Sequence, residues 1–445
     1  MQRRTPGEGE NSQEETIRKY INRRWDQIKT VLEQLQVLNA TLNNQKVAYL
    51  EVRDVTADDE KKIFEIINSE GTDLTSVEIL SAKPSYNIEI ENPADQLLKD
   101  VDEMYQNEMG VEKTEAVRWD RPATFYERLD VESLLPEEGY GFERRVRIGF
   151  KLMSGYHLDG ISKNDFEELS RLDINWGSIE LEKDICRMET QLSGHTLFKF
   201  WNDWPDPFIR LSAEAVTINY LLYTYLLWEE LGKPQNSSSA LDEFQNKSAI
   251  LFDKSIYQYI TQLWRGSTES RVEQNLSSFS KDSNLFDPVS TEDWKNLLKE
   301  LVNDGRIEGQ SQLDNKNPTN ETKLILRYYN VLCARRPSND NISIDHIIPQ
   351  TLFDSTPNDE MKKYKHHIAN LAEIPYGENT DKGKKALTQI EEKWLISEIE
   401  KFTGIDSSDF NEYTQVSDVE DLIENRGQRI IENFIEGRKD MLNVK

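Results

Sequence analysis

Cysteine is scarce, with only Cys186 and Cys333 in 445 residues. A pair so far apart cannot build a Cys-rich zinc site, and without a secretory context the expectation is two reduced thiols. Any metal must then be held mostly by oxygen and imidazole. Histidine is nearly as rare, at five residues. Long apolar runs are missing too. The longest, AVTINYLLYTYLLW at 215–228, has 14 residues and carries Thr, Asn and Tyr, so it reads as a buried helix rather than a membrane span. The polar residues after Met1, QRRTPGEGENSQEE, lack the apolar core of a secretory signal. The expected location is the cytoplasm, with no membrane partner. No helix-turn-helix, zinc-finger or internal-repeat pattern occurs.

Positive charge is also in deficit, 54 Lys and Arg against 81 Asp and Glu for a net charge of -27. That argues at first sight against nucleic acid, because phosphate contacts are made by Lys and Arg. The distribution alters this. Residues 322–394 hold eleven Lys and Arg against ten Asp and Glu, and include the clusters KKYKHH at 362–367 and KGKK at 382–385. A solvated helix face explains either cluster taken alone. The acidity of the remainder fits a salt-rich cytoplasm and autoinhibition equally well.

What is present is core material: 37% hydrophobic, 9% aromatic and 30% charged residues mark a soluble globular chain. Its length suggests two or three domains. Helical periodicity from Glu14, a strand at 46–55 and two further helices, the second starting near Thr75 with Glu78 completing a capping box, make up a first region of residues 1–85. Residues 86–320 read as a helical middle region with sparse strand signals, prolines breaking any helix at 201–211 and a loop at 232–242. A polar linker at 305–323 leads to a third region, 321–445, with helices expected over 384–402 and 419–434. The fold class expected is mainly α and multidomain, with a small ββα module near the C-terminus.

Three of the five histidines, His346, His366 and His367, fall within 22 residues, close to Asp345. The order IDHIIPQ, HHIANLAEI, GENTDKGKKA reads strand, strand, helix, with Leu387, Ile390, Trp394, Leu395, Ile399 and Phe402 on the helix's apolar face. Asp345 offers a hard carboxylate oxygen and Asn379 an amide oxygen, both suited to Mg²⁺ or Mn²⁺. His346 is matched near pH 7 to removing a proton from water. Neighbours on a regular strand point to opposite faces, so Asp345 and His346 share a site only if the strand twists or ends there. His157 and His195 are read as structural.

The pattern DHIIPQ…N…N…KGK resembles the ββα-metal HNH endonuclease motif, closely that of the HNH domain of RNA-guided CRISPR nucleases. The resemblance implies that His346 is the general base, that Asp345 and Asn379 ligate one divalent metal, Mg²⁺ or Mn²⁺, and that Asn370 braces the loop between the strands. Lys382 or Lys384 would touch phosphate. The spacing from His346 to Asn370 is longer than in compact versions and accommodates an extra helix near 358–365, and an Asn stands where some members carry a third His. A wider resemblance covers both ends of the chain. The C-terminal part is similar to the nuclease domain of GmrSD-type restriction endonucleases, which attack modified phage DNA or sense phosphorothioate DNA. IFEIINSEGTDLTSVEILSA at 63–82 resembles the closing part of their ParB-like NTPase domain, while the Asp-Gly-Gln-Gln-Arg stretch that opens that domain's nucleotide chemistry is absent.

The resemblance therefore implies a DNA endonuclease of a prokaryotic antiviral restriction system. It also implies an N-terminal remnant, left either by truncation or by a split system in which a separate subunit supplies the NTPase half. Double-stranded DNA, modified or not, is the expected partner. Arg335, Arg336, His367 and Lys385 are the expected DNA contacts; an exposed loop pair fits the two arginines equally, and a histidine beside unsatisfied helix-end carbonyls is the other reading of His366 and His367. The alternative function is a non-catalytic DNA- or partner-binding subunit that uses the HNH fold as a scaffold.

Overall fold

The computed structural model describes residues 76–444 apart from 137–138, 267, 280, 283, 305–317, 338–341 and 376–384, with isolated positions before residue 76. The chain divides into two compact units, Met1–Thr72 and Asp73–Lys445. The strand and helices expected before residue 72 lie outside the described residues. In the second unit the helix beside Glu78 spans Ser76–Ser81.

The second unit is mainly helical. Its longer helices are α1 (Asp95–Met109), α2 (Phe142–Leu158), α3 (Glu180–Leu192), α4 (Glu214–Glu230), α5 (Ser239–Ile260), α6 (Thr268–Ser278), α7 (Thr291–Asp304), α8 (Asn320–Leu332), α9 (Lys393–Thr403) and α10 (Gln428–Leu442). Helix α4 contains the longest apolar run and is buried on nearly every side, because α2, α5 and α6 all pack against it. An all-round apolar helix has no solvent face to offer, so it takes the centre. Among the described residues no helix is long and apolar enough to cross a membrane.

One large apolar cluster runs from Val77 to Leu442, dense in aromatics such as Trp201, Phe208, Tyr220, Phe252 and Trp294. Phe252 meets Trp201 at 4.9 Å and Phe198 at 5.3 Å, both edge to face, the arrangement that ring quadrupoles favour. The expected middle and C-terminal regions share this core. Within it, Asp253 of α5 accepts from Arg438 of α10 through both oxygens, at 2.9 and 2.8 Å, from Tyr328 of α8 at 2.9 Å and from Trp294 of α7 at 3.2 Å. Four helices meet on one buried carboxylate. At Gly437, where α10 crosses α8, an added Cβ would lie 2.4 Å from the Leu332 carbonyl oxygen, so only glycine permits the approach.

Among the described residues the sheet is two-stranded: β1 (Ile342–His346) runs antiparallel to β2 (Leu371–Pro375), with Asp345 opposite Ala372 and His346 opposite Leu371. The pair is anchored to the body by Glu373, fully buried, which accepts from Arg327 of α8 at 2.6 and 2.9 Å while Arg327 stacks 4.6 Å over Trp204. Burial pushes the Glu373 carboxyl above its ordinary value, and Arg327 opposes that shift. On the other side α9 packs on β2. A second cluster, aliphatic-rich, gathers Ile347, Ile348, Phe353, Leu387, Leu395 and Ile399 there.

Two expected elements differ. The helix expected from residue 384 starts only at Lys393; before it, Leu387–Gln389 form a 3-10 turn whose Gln389 side chain accepts from the Ala386 amide at 2.9 Å. Leu387 and Ile390 are buried as expected, but Trp394 is 51% exposed. Apolar spacing is satisfied by turn plus helix as well as by one continuous helix. At the other end, Val419–Leu422, a π turn Ile423–Gly427 and α10 run on without a break to Leu442, eight residues beyond the expected stop.

Candidate functional site

The strand β1 exists because Ile342 and Ile344 pack on the main core from one face. It stops at His346, and the two residues that follow bend, so Asp345 and His346 are the last two residues of the ladder, opposite Ala372 and Leu371. Asp345 is 8% exposed and His346 half-buried.

Asn370 holds the connection. Its side chain is fully buried; Oδ1 accepts from the Ile348 amide at 2.8 Å, and Nδ2 donates to the Lys365 carbonyl at 3.0 Å and the Ile348 carbonyl at 3.3 Å. Its own carbonyl accepts from the Ile347 amide at 2.9 Å. One asparagine thus ties the segment leaving β1 to the turn entering β2, with acceptor and donor both used. The insertion between them carries a helix Gln350–Ser355 and a helical turn Asp359–Lys362, capped by Asn358 accepting from Glu360 at 3.1 Å. The expected helix over 358–365 is thereby shortened to one turn.

The two adjacent histidines have separate roles. His367, assigned to DNA from the sequence, is fully enclosed: Nδ1 accepts from the Ala369 amide at 3.1 Å and Nε2 donates to the Val302 carbonyl at 2.9 Å. A carbonyl only accepts, so this ring is the neutral Nε2–H tautomer. Burial pushes its pKa down to about 4. Val302 lies in the last turn of α7, where carbonyls lack helical partners. His367 is therefore a structural tie to a helix end, and its DNA assignment is corrected. His366, 4% exposed, turns the other way and places Nδ1 3.1 Å from Nε2 of His346.

The expected cations divide as well. Arg335 is half-buried, and its guanidinium donates to Asn330 Oδ1 at 3.0 Å and to the Phe402 carbonyl and the Tyr329 hydroxyl, both at 3.3 Å. Arg336 stays exposed, paired with Asp203 at 2.8 Å and lying over the Phe200 ring. Lys385 is exposed, 3.9 Å from Glu392. Asn379, Lys382 and Lys384 lie outside the described residues. Neither Cys186 nor Cys333 is bridged, and burial raises both thiols. His195 caps a short helix, accepting from Leu197 at 3.2 Å, and burial lowers its pKa to about 4.

Sequence reasoning missed two residues. His366 was flagged only as half of a pair, because its partner lies 20 residues away across the insertion. Arg426 gave no signal, yet it is buried and donates through Nη1 to the Ile368 and Ala369 carbonyls, at 3.0 and 2.8 Å, and through Nε to the Thr403 carbonyl at 2.7 Å. It secures the turn that presents Asn370. As a cation site, the described part offers one hard anionic oxygen, Asp345, beside imidazole; this donor chemistry fits a Mg²⁺-like ion that keeps several waters. Among the described residues no group of three His, Cys, Asp or Glu converges as a metal site. No known protein-family model, curated protein or solved structure matches the chain.

Proposed function

We propose that this chain is a metal-dependent DNA endonuclease of the ββα-metal HNH type, similar to GmrSD-type restriction enzymes and acting in prokaryotic antiviral defence on, or in response to, modified DNA. The observation that carries the reading is the end of β1. Asp345 and His346 stand side by side where the strand stops, and Asn370 sews the outgoing segment to β2. The packing of α9 on β2 supports a strand–strand–helix order.

In this reading Asp345 and Asn379 hold the cation, which when bound stabilises charge on the phosphate oxygens and the departing 3′ oxygen. His346 removes a proton from the attacking water, whose oxygen bonds to phosphorus as the bond to the 3′ oxygen breaks. Asn370 keeps the backbone around both residues from shifting. Arg336 and Lys385, both exposed, would meet phosphate by exchanging their present carboxylate partners.

The test is cleavage of supercoiled plasmid, plain and modified, with Mg²⁺, Mn²⁺ or EDTA, with and without a separately supplied NTPase-type subunit. The wild type should nick or cut with either metal and stop with EDTA. His346→Ala should fall by about 10²–10⁴-fold, the range a positioned general base contributes. Equal cutting by both proteins would remove His346 as base. Tight DNA binding with no cleavage under any of these conditions would make the chain a DNA- or partner-binding scaffold.

A further inference from the structure

The contact between His346 and His366 carries a role that the motif does not assign. Nε2 of His346 and Nδ1 of His366 are 3.1 Å apart, with ring centroids at 5.1 Å and planes inclined by 59°. The rings meet through their nitrogens rather than by stacking, and in a neutral pair one nitrogen donates while the other accepts. The turn carrying His366 is held on both sides. The Lys365 carbonyl accepts from Asn370, the Lys365 ammonium reaches Asp354 at 3.1 Å, and the next residue, His367, is locked to α7 through Val302. His366 thus sits on a fixed turn, with its Nδ1 held at hydrogen-bond distance from His346.

We infer that His366 is a positioning residue for His346: its Nδ1 accepts the Nε2–H of His346, setting that ring's rotation and tautomer so that proton exchange with water runs through Nδ1. The inference rests on the nuclease reading of His346. In the step served, one O–H bond of water breaks and its proton bonds to Nδ1 of His346. The oxygen's electron pair forms the new P–O bond. The P–O3′ bond breaks, its pair stays on the 3′ oxygen, and that oxygen takes a proton from solvent. Throughout, Nε2–H remains donated to His366, and the bond strengthens as the His346 ring becomes cationic. Partners on a histidine's second nitrogen set tautomer and orientation at other functional imidazoles in the same way.

The full chain, labelled with ¹⁵N in histidine, reports each tautomer by NMR. His346 should be Nε2-protonated in the wild type and a mixture of tautomers in His366→Ala, while an unchanged His367 signal certifies the fold. In plasmid cleavage His366→Ala should lose about 10–100-fold in kcat, the usual cost of removing such a partner, with KM for DNA essentially unchanged. His366→Asn, whose Oδ1 can accept the same proton, should restore the tautomer and most of the rate. An unchanged His346 tautomer in His366→Ala, or a His366→Asn protein no better than His366→Ala, overturns the inference. If the wild type cleaves nothing with Mg²⁺ or Mn²⁺, the nuclease reading falls instead, and the tautomer comparison alone decides the His366 contact.

Discussion

Two buried arginines separate the helical body from the segment beneath the strand pair. In the body, Arg438 faces both oxygens of Asp253, and Tyr328 and Trp294 take up the rest of that carboxylate's capacity. Beneath the strands, Arg426 has only backbone carbonyls as hydrogen-bond partners, and its Nη2 makes no hydrogen bond. Burial pushes its pKa down to about 10, with Arg335 and Arg429 adding to the shift. The difference teaches what each cation is for. A compensated pair joins helices, and Arg438 also donates to the Val289 carbonyl just ahead of α7. An uncompensated cation persists where irregular backbone leaves several buried acceptors in one place, because orphaned carbonyls are costly.

The comparison can be broken by removing the body's cation first. Arg438→Ala leaves Asp253 charged and buried, and should cost about 3–5 kcal/mol in urea denaturation. A loss below that of Arg426→Met would reverse the ranking and sink the comparison.

Acid probes the strand side next. The unfolded His367 imidazole binds a proton near its ordinary value of 6.5, the folded one only near 4. Between those values the unfolded chain holds more protons, so stability present above pH 6.5 is lost as pH falls toward 4, by roughly 3 kcal/mol from this residue at 1.36 kcal/mol per unit. Stability measured by urea from pH 7 to 4 should therefore show a slope that decreases by about one proton in His367→Gln. An identical slope in both proteins would remove His367 as a buried neutral group.

The smallest effect sharpens the contrast. Arg426→Met deletes donors to three carbonyls but also an unpaired buried charge, and these offset each other in part, leaving roughly 1–3 kcal/mol. Its larger consequence should be functional, with cleavage falling while circular dichroism keeps the helical signal. Full activity in this variant would show that the turn presenting Asn370 holds without it.

Much of the body was legible in the sequence. Helix α4 follows from an apolar run too long for a strand and too short for a membrane, and the break after Trp201 follows from its prolines. The strand pair was legible for the same local reason, short β-branched or apolar runs, and Asn370 was expected from the HNH resemblance to brace the loop between them. The start of α9 was not, since Leu387 and Ile390 meet the same core from a 3-10 turn.

His366 and His367 mark the limit most clearly. Adjacent and identical in type, they were interchangeable in the sequence, which determined only that imidazoles gather near Asp345. The tertiary structure turned one toward His346 and the other toward the end of α7. Secondary structure and side-chain chemistry come from neighbours a few residues apart, so sequence alone specifies them. What an imidazole does depends on which partner comes within about 3 Å of each nitrogen. For these two the partners are 20 and 65 residues away in the chain, and only the packing of helix, turn and strand brings them there.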